Sequence, residues 1–366
     1  MSTKFKKTQA LVIFVFLFFL LLAIPGASAQ EDEGGDLPET LSDFSTDAVR
    51  PSESPYLRNV ENPDIEPITP YDGPPVEPII DPTASISYDM VTGETVTVPS
   101  EQYIVNSLET LQHSEGFEGL AAPVASFSDD ESILPPDDRT RITNTGSFPW
   151  RTVVNLSIKW TSTSTGEGRC SGAIIDSYHI LTAGHCVYDF GGTNDWAYSI
   201  KVFPGRDNGD LPYNYAWATY AHSYTGWTNN GMTEHDWAVV ALDRSIGDYT
   251  GWMGRQTAGY TSSIYNGAKN VAGYPGTPSG VATCPTWANC QYYDGDNTHS
   301  TSEFNHWYSM DTSGGMSGGP VWRYTSDLNR YILTTHTCGT GGCGVSGKGV
   351  NHGTRLNNDK YDRIFT

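Results

Sequence analysis

Short runs of hydrophobic or alternating residues, separated by clusters of glycine, asparagine, aspartate and proline, dominate the sequence beyond residue 131. Such runs are typical of β-strands, whereas amphipathic helices need apolar residues at helical spacing over several turns. The pattern predicts an all-β barrel or sandwich, with one helical turn over 360–365. The predicted strands cover residues 151–158, 172–175, 179–182, 200–203, 217–222, 237–242, 270–274, 320–322, 331–336 and 349–356.

The first 29 residues follow the pattern of a secretory signal peptide. Three lysines precede an apolar run from Leu11 to Ile24, and the small residues of 27–29 follow it. A basic start, a short apolar core and an A-x-A site together indicate cleavage before Gln30. An uncleaved membrane anchor is the alternative. We expect a secreted, extracellular protein with no membrane segment once residues 1–29 are removed.

Residues 30–131 form an acidic leader that differs in composition from the rest of the chain. The leader holds 23 acidic and two basic residues, whereas residues 132–366 hold 19 acidic and 16 basic ones. Its first part, to about residue 82, has too few apolar residues to offset the entropy of ordering, so we expect disorder there.

Further along the leader the pattern changes. Ile86, Tyr88 and residues 95–98 predict a hairpin, and a helical stretch follows from Pro99. We interpret residues 30–131 as a propeptide and residues 132–366 as the globular body. An independent acidic interaction domain is the alternative interpretation of the leader.

The composition of the body excludes several classes of function. Without an excess of basic residues, the body is unsuited to nucleic-acid binding. In an exported protein six cysteines suggest three disulfides rather than a metal site, and Asp-Gly-Asp-Asn over 294–297 predicts a turn rather than a calcium loop. We expect a monomer with neither a metal nor an organic cofactor. The cysteines are Cys170, Cys186, Cys284, Cys290, Cys338 and Cys343.

Three short motifs in the body carry residues suited to nucleophilic catalysis. His185 follows a predicted strand in the sequence LTAGHC, Asp236 precedes an apolar strand, and Ser317 lies in the glycine-rich sequence DTSGGMSGGP. A serine hydroxyl becomes nucleophilic when a base lies within hydrogen-bond reach and an acid orients that base. His185, Asp236 and Ser317 supply these roles, and the backbone N–H groups of Gly315 and Ser317 are placed for an oxyanion hole.

At these residues the sequence resembles the chymotrypsin-like serine endopeptidases, and within them the bacterial glutamyl endopeptidases and V8-type proteases. The resemblance extends from about Asp137, in the sequence DDRTRITN, to the C-terminus. It implies a double Greek-key β-barrel, hydrolysis of protein or peptide substrates between the barrels, and a disulfide between Cys170 and Cys186. The pairs Cys284 with Cys290 and Cys338 with Cys343 are expected only from proximity, since six cysteines allow 15 pairings.

Two other classes of protein are alternatives. The sequence Gly-Met-Ser-Gly-Gly over 315–319 also fits the nucleophile elbow of α/β-hydrolases. That fold needs alternating strands and helices and places its acid and histidine after the serine, but only 49 residues follow Ser317. The second alternative is an inactive protease-like binding module, which would have no need for the complete set of His185, Asp236 and Ser317.

The residues that select the substrate give conflicting predictions. Asp311 lies six positions before Ser317, where a trypsin-like enzyme carries the acid that binds Lys or Arg. The resemblance to the glutamyl branch instead implies substrate binding by Thr312 and His336, whose hydroxyl and imidazole can hydrogen-bond a carboxylate. The body contains three Glu and the leader 13, which favours cleavage after Glu, with Asp as second choice. Cleavage after Arg or Lys through Asp311 is the alternative.

The position of the leader suggests how the enzyme matures. Cleavage between Glu131 and Ser132, by the enzyme itself, would release the body from the leader. Met316 occupies the place where a pancreatic protease carries the acid that pairs with its new α-amino group, so that activation route is not available. We expect the propeptide to assist folding or to cover the cleft until it is removed.

Overall fold

The computed structural model describes residues 81–100, 132–276, 284, 288–326, 329–340 and 348–364. The predicted signal peptide, most of the acidic leader and all but the first two residues of the helix predicted from Pro99 lie outside these ranges. Within them, no helix combines the length and apolar character needed to cross a membrane.

The described part of the chain is built mainly from short β-strands, as the sequence pattern predicts. Its α-helices are α1 Thr225–Thr228, α2 Gly247–Thr250 and α3 Asn358–Arg363. Its strands are β1 Ser85–Asp89, β2 Thr95–Val98, β3 Thr140–Ile142, β4 Val153–Lys159, β5 Gly168–Ile174, β6 His179–Thr182, β7 Ser199–Pro204, β8 Ala216–Tyr224, β9 Ala238–Leu242, β10 Gly254–Arg255, β11 Ala268–Gly273, β12 Gln291–Thr301, β13 Asn305–Tyr308, β14 Pro320–Tyr324, β15 Arg330–Cys338 and β16 Asn351–Arg355.

Strands β4 to β9 form the first of two closed, antiparallel six-stranded barrels. Their order is β8-β7-β4-β5-β6-β9, and pairing of β8 with β9 closes the barrel. Alternate side chains of each strand point inward, because successive residues of a strand face opposite sides. Leu156, Ile174, Val202 and Val240 belong to the resulting buried cluster.

Strands β11 to β16 form the second barrel. Their order is β15-β14-β11-β12-β13-β16, closed by pairing of β15 with β16, while β10 adds in parallel to β15 and β3 pairs with β12. Two closed antiparallel barrels with few helices confirm the predicted all-β, trypsin-like fold. All ten predicted strands are present, with ends displaced by up to four residues.

The turn predicted at residues 294–297 is wrong. These residues lie inside β12, an 11-residue strand that pairs with β3, β11 and β13. The Oδ2 atom of Asp294 accepts the backbone N–H of Asp311 at 2.5 Å. Pairing with neighbouring strands and this buried hydrogen bond outweigh the turn preference of Asp, Gly and Asn.

The hairpin predicted in the leader is confirmed. β1 and β2 pair antiparallel with Ser85 opposite Val98, and β1 also pairs with β8 of the first barrel with Ser85 opposite Tyr224. A segment that precedes the body in the chain therefore extends the sheet of the first barrel.

Two of the expected disulfides are present. Cys170 is bonded to Cys186, and Cys284 to Cys290. Cys338 is also disulfide-bonded, and Cys343, its expected partner, lies outside the described residues. The first bond ties β5 to the turn that follows β6, which is the turn that carries His185.

Removal of the first disulfide should destabilise the protein more than removal of the second. Cys170 and Cys186 lie 16 residues apart, whereas Cys284 and Cys290 lie 6 apart. Loop-closure entropy gives about 3 kcal/mol for the longer loop and about 2 kcal/mol for the shorter. Chemical denaturation of the double variants Cys170→Ala/Cys186→Ala and Cys284→Ala/Cys290→Ala measures both. A larger loss for the second pair would contradict this expectation.

Candidate active site

Two loops of the first barrel bring His185 and Asp236 together. His185 lies in a 3-10 turn just after β6, and Asp236 directly precedes the segment that enters β9, the neighbour of β6. The Nδ1 atom of His185 lies 2.8 Å from Oδ2 of Asp236, and the backbone N–H of His185 donates to Oδ1 at 2.8 Å. Asp236 is fully buried. This pairing places the Nδ1 proton of a neutral imidazole toward the acid and leaves Nε2 as the basic atom.

Trp227 of α1 packs behind His185. The two rings lie 6.2 Å apart between centroids, and the indole N–H donates to the Tyr188 carbonyl at 3.2 Å. A Cβ atom on Gly184 would lie 2.9 Å from the Trp227 ring and 3.1 Å from Oδ1 of Asp236. Gly184 therefore allows this close contact. The sequence offered no signal for the role of Trp227.

Ser317 lies in a tight turn just before β14 of the second barrel. Gly315 and Gly318 have φ values of +101° and +83°, a region that side-chain-bearing residues rarely adopt. A Cβ atom on Gly318 would collide with Oγ1 of Thr182 and the Ser171 carbonyl, and one on Gly315 would lie 2.6 Å from the Tyr274 carbonyl. The glycines are thus required both by backbone conformation and by lack of space.

Ser171 joins this turn to the first barrel. Its backbone N–H donates to the Ser317 carbonyl at 2.7 Å, and its hydroxyl donates to the Gly315 carbonyl at 2.8 Å. The same hydroxyl accepts the backbone N–H of Tyr274, which follows β11, at 2.8 Å. Sequence reasoning missed Ser171. Its only signal in the sequence is the adjacent Gly172, because a glycine within a strand often marks close approach of another backbone. In the structure, a Cβ on Gly172 would lie 2.8 Å from the Leu181 carbonyl.

His336 and Thr312 lie next to the Ser317 turn. The backbone of His336 donates to the Gly319 carbonyl at 2.9 Å and accepts the N–H of Gly318 at 2.7 Å. The hydroxyl of Tyr308 lies 2.6 Å from Nδ1 of His336, and all three side chains are fully buried. Among the described residues, Oγ1 of Thr312 has no hydrogen-bond partner. Tyr308 lies 28 residues from His336 in the chain, so spacing gave no signal for this pair.

Asp311 faces the segment that follows the predicted processing site. Its carboxylate accepts the backbone N–H of Leu134 at 2.5 Å and that of Asp138 at 3.2 Å, and 1% of the residue is exposed. Burial raises the pKa of this carboxyl to about 6. Nearby, the N–H of Thr312 donates to the Ser132 carbonyl at 3.4 Å. The carboxylate is thus engaged by the start of the body.

Two groups of described residues bring three metal-ligating atoms together. The first is Cys170, His185 and Cys186, whose sulfurs are bonded to each other and whose imidazole Nδ1 faces Asp236. The second is an acidic cluster in which Asp311 and Asp294 already accept backbone N–H groups; its third member is Asp138. Catalytic zinc needs three free ligands, most often histidine, glutamate or cysteine. Neither group fits that requirement.

Comparison with known proteins finds a matching family model and two relatives of similar sequence. Residues 139–358 match the Trypsin family model. The chain is 34% identical over 233 residues to the extracellular metalloprotease of Bacillus subtilis strain 168, covering 64% of this chain and 68% of that protein. It is 31% identical over 238 residues to the glutamyl endopeptidase of Bacillus licheniformis strain ATCC 14580, with the same coverage of 64% and 68%.

A solved structure of a Glu endopeptidase in complex with MPD has the same fold. It superposes with a TM-score of 0.52 at 22% identity, over 64% of this chain and 97% of that one. The family match and the solved fold agree with the two barrels described above. The chain belongs to the trypsin family and is a serine endopeptidase.

Proposed function

We propose that this protein is a secreted endopeptidase that cleaves peptide bonds after glutamate, with aspartate as second choice. The observation that carries the proposal is the buried group of Thr312, His336 and Tyr308 beside the Ser317 turn. It supplies a hydroxyl and an imidazole that can bind a substrate carboxylate, and it contains no acidic side chain that would repel one. The relative from B. licheniformis is named a glutamyl endopeptidase, and the pattern of residues 1–29 supports export.

His185, Asp236 and Ser317 carry the proposed chemistry. As Ser317 Oγ bonds to the substrate carbonyl carbon, its proton passes to His185 Nε2, and the C=O electron pair moves to oxygen. Collapse of this intermediate breaks the C–N bond, and His185 gives the proton to the leaving amine. Water then attacks the acyl ester as its proton passes to His185 Nε2. The ester C–O bond breaks, the acid product leaves, and His185 returns the proton to Ser317 Oγ. The hydrogen bonds to Asp236 hold the imidazole in the orientation that both steps need.

The backbone N–H groups of Gly315 and Ser317 are the proposed oxyanion donors. The positive φ of Gly315 turns this part of the chain, and Ser171 fixes it through the Gly315 and Ser317 carbonyls. Because Ser171 engages both carbonyls, hydrogen bonds hold the turn before substrate binds. Loss of one oxyanion donor typically costs about 3 to 4 kcal/mol of transition-state stabilisation.

The Tyr308 hydroxyl would keep a proton on the Nε2 atom of His336 in either charge state. A hydroxyl both donates and accepts, so it donates to Nδ1 of a neutral ring and accepts from Nδ1–H of a charged one. Nε2 then carries a hydrogen in both cases and can donate to the substrate carboxylate. Thr312, whose buried Oγ1 lacks a partner among the described residues, would supply the second donor.

Two alternatives are less consistent with the site. Cleavage after Arg or Lys needs a free Asp311 carboxylate, but that group is buried and bonded to Leu134 and Asp138. Metal-dependent hydrolysis, suggested by the name of the B. subtilis relative, needs ligands that the described residues do not offer in a suitable set. No step is therefore assigned to a metal.

The Ser317 hydroxyl should react with a fluorophosphonate probe, and Ser317→Ala should abolish both labelling and peptide hydrolysis. We expect kcat to fall by roughly 10⁶. Mass spectrometry of the labelled peptide and hydrolysis of a glutamyl peptide measure these effects. Labelling or hydrolysis that persists in Ser317→Ala would overturn the assignment.

Tyr308→Phe should reduce selectivity for glutamate rather than general reactivity. Because a hydrogen bond to a charged group contributes about 1.5 to 3 kcal/mol, we expect kcat/KM for a Glu peptide to fall roughly 10- to 100-fold. The rate of fluorophosphonate labelling should stay constant. Peptides that differ only in Glu, Asp, Lys, Arg, Phe or Leu before the scissile bond measure the preference.

The matched control is Tyr293→Phe, which removes a hydroxyl that bonds to Asn270 at 3.0 Å on the same barrel. This control should keep the preference of the wild type. A preference for Lys or Arg in the wild type would reject the proposed specificity, and equal losses in both variants would reject the role of Tyr308.

Secreted protein should begin at Ser132, because the enzyme is expected to cut after Glu131. N-terminal sequencing and intact mass measure the start of the body. The Ser317→Ala precursor should remain uncut, and Glu131→Gln should block cleavage here, whereas Glu118→Gln should not. A different N-terminus, or an unchanged cut in Ser317→Ala, would contradict self-processing at this bond.

A further inference from the structure

The strand β1 of the leader adds to the first barrel at one edge of β8. One edge of β8 is shared, since Ala216 and Trp217 pair with β7, and the segment Tyr220–Tyr224 pairs with β1. β7 thus covers only the first part of this edge. Without β1, the backbone N–H and C=O groups of the second part would face no strand.

Side chains of β1 also enter the core of the barrel. Ile86 is 8% exposed and belongs to the same buried cluster as Ala221 of β8. Tyr88 stacks on Trp196 with 5.3 Å between ring centroids and a 6° angle between planes. The spacing of two between Ile86, Tyr88 and Met90 places all three on one face of the chain, and all three pack on this cluster.

Polar contacts fix the register of the leader against the body. The Ser87 hydroxyl lies 2.9 Å from Nδ1 of His222, a side chain that is otherwise buried. At the end of the strand, the N–H of Thr225 donates to the Ala84 carbonyl at 2.9 Å, and the N–H of Gly226 to the Pro82 carbonyl at 2.9 Å. The Thr225 hydroxyl also donates to the Asp81 carbonyl.

The hydrogen bonds to Thr225 and Gly226 connect the leader to the helix that packs against His185. Thr225 and Gly226 begin α1, the helix that places Trp227 against His185. A Cβ atom on Gly226 would lie 2.6 Å from the Pro82 carbonyl, so leader and helix are in direct contact. The contacts of β1 named here are all to the first barrel, whereas the Ser317 turn belongs to the second.

We propose that the leader hairpin, residues 81–100, stays bound to the body as a noncovalent strand after the chain is cut before Ser132. The hairpin docks on the second part of the β8 edge, residues 220–224, and its second contact is the start of α1. On the leader side, the buried side chains, the paired strand and the hydrogen bonds to Thr225 and Gly226 are all supplied by residues 81–100. The attachment therefore does not depend on an intact connection to the body, and the hairpin supports the catalytic loops rather than covering the cleft.

The test uses the full chain in the Ser317→Ala form, so that its outcome is independent of the proposed proteolytic activity. A recognition sequence for an unrelated, sequence-specific protease is placed within residues 120–131, and the purified precursor is cut there. Gel filtration and native mass spectrometry at micromolar concentration then show whether both fragments travel together. We expect a complex of one leader fragment with one body, and separation only under denaturing conditions.

Two variants with the same type of change locate the contact. Ile86→Asp places a charge in the barrel core and should release the leader fragment after the cut. It should also lower the Tm of the uncut precursor by at least about 4 °C. Val96→Asp changes an exposed residue of β2 on the same hairpin, with 40% of its surface accessible, and should change neither result.

Separation of the wild-type fragments under native conditions would overturn the proposal. So would a complex that persists in Ile86→Asp, since the leader would then be held elsewhere. If Ile86→Asp precludes folding, Tyr88→Ala replaces it, because it removes the stacking on Trp196 and should weaken retention of the fragment. Retention equal to wild type in Tyr88→Ala would then count against the proposed contact.

Discussion

The hydrogen bonds of Ser171 hold the two halves of the site in register. His185 and Asp236 come from loops of the first barrel, whereas Ser317 comes from the second. Ser171 lies on β5 of the first barrel and bonds to the carbonyls of Gly315 and Ser317 and to the N–H of Tyr274. Its neighbour in the chain, Cys170, is tied to the turn of His185 by a disulfide. Two consecutive residues of β5 thus hold the turn that carries His185 and the turn that carries Ser317.

The sequence predicted those features that depend on local pattern or on distinctive chemistry. Alternating apolar residues located ten strands, and the motifs around His185, Asp236 and Ser317 indicated a trypsin-like protease. β12 escaped prediction because its polar residues form a strand only when β3, β11 and β13 flank it. The partner of the leader hairpin was equally hidden, since β1 and β8 are about 130 residues apart.

Contacts between residues distant in the chain also escaped prediction within the site. Ser171 and Tyr308 have ordinary sequence contexts, and each acquires its importance from a contact made by folding. Asp311 illustrates the reverse case, because its position relative to Ser317 suggested a binding site for basic side chains. Folding instead directs that carboxylate to the backbone of Leu134 and Asp138. Burial raises its pKa to about 6, while the two backbone N–H groups occupy the carboxylate oxygens.

The hairpin on β8 also affects aggregation between copies of the chain during folding. An uncovered strand edge is a template for pairing with a second molecule, and such pairing leads to aggregation. Here the covering strand is part of the same polypeptide, so pairing with β8 is intramolecular and does not depend on protein concentration. Synthesis from the N-terminus produces β1 before β8. The β1 strand of the same chain is therefore available to cover β8 as soon as β8 forms, before a second molecule can pair with it.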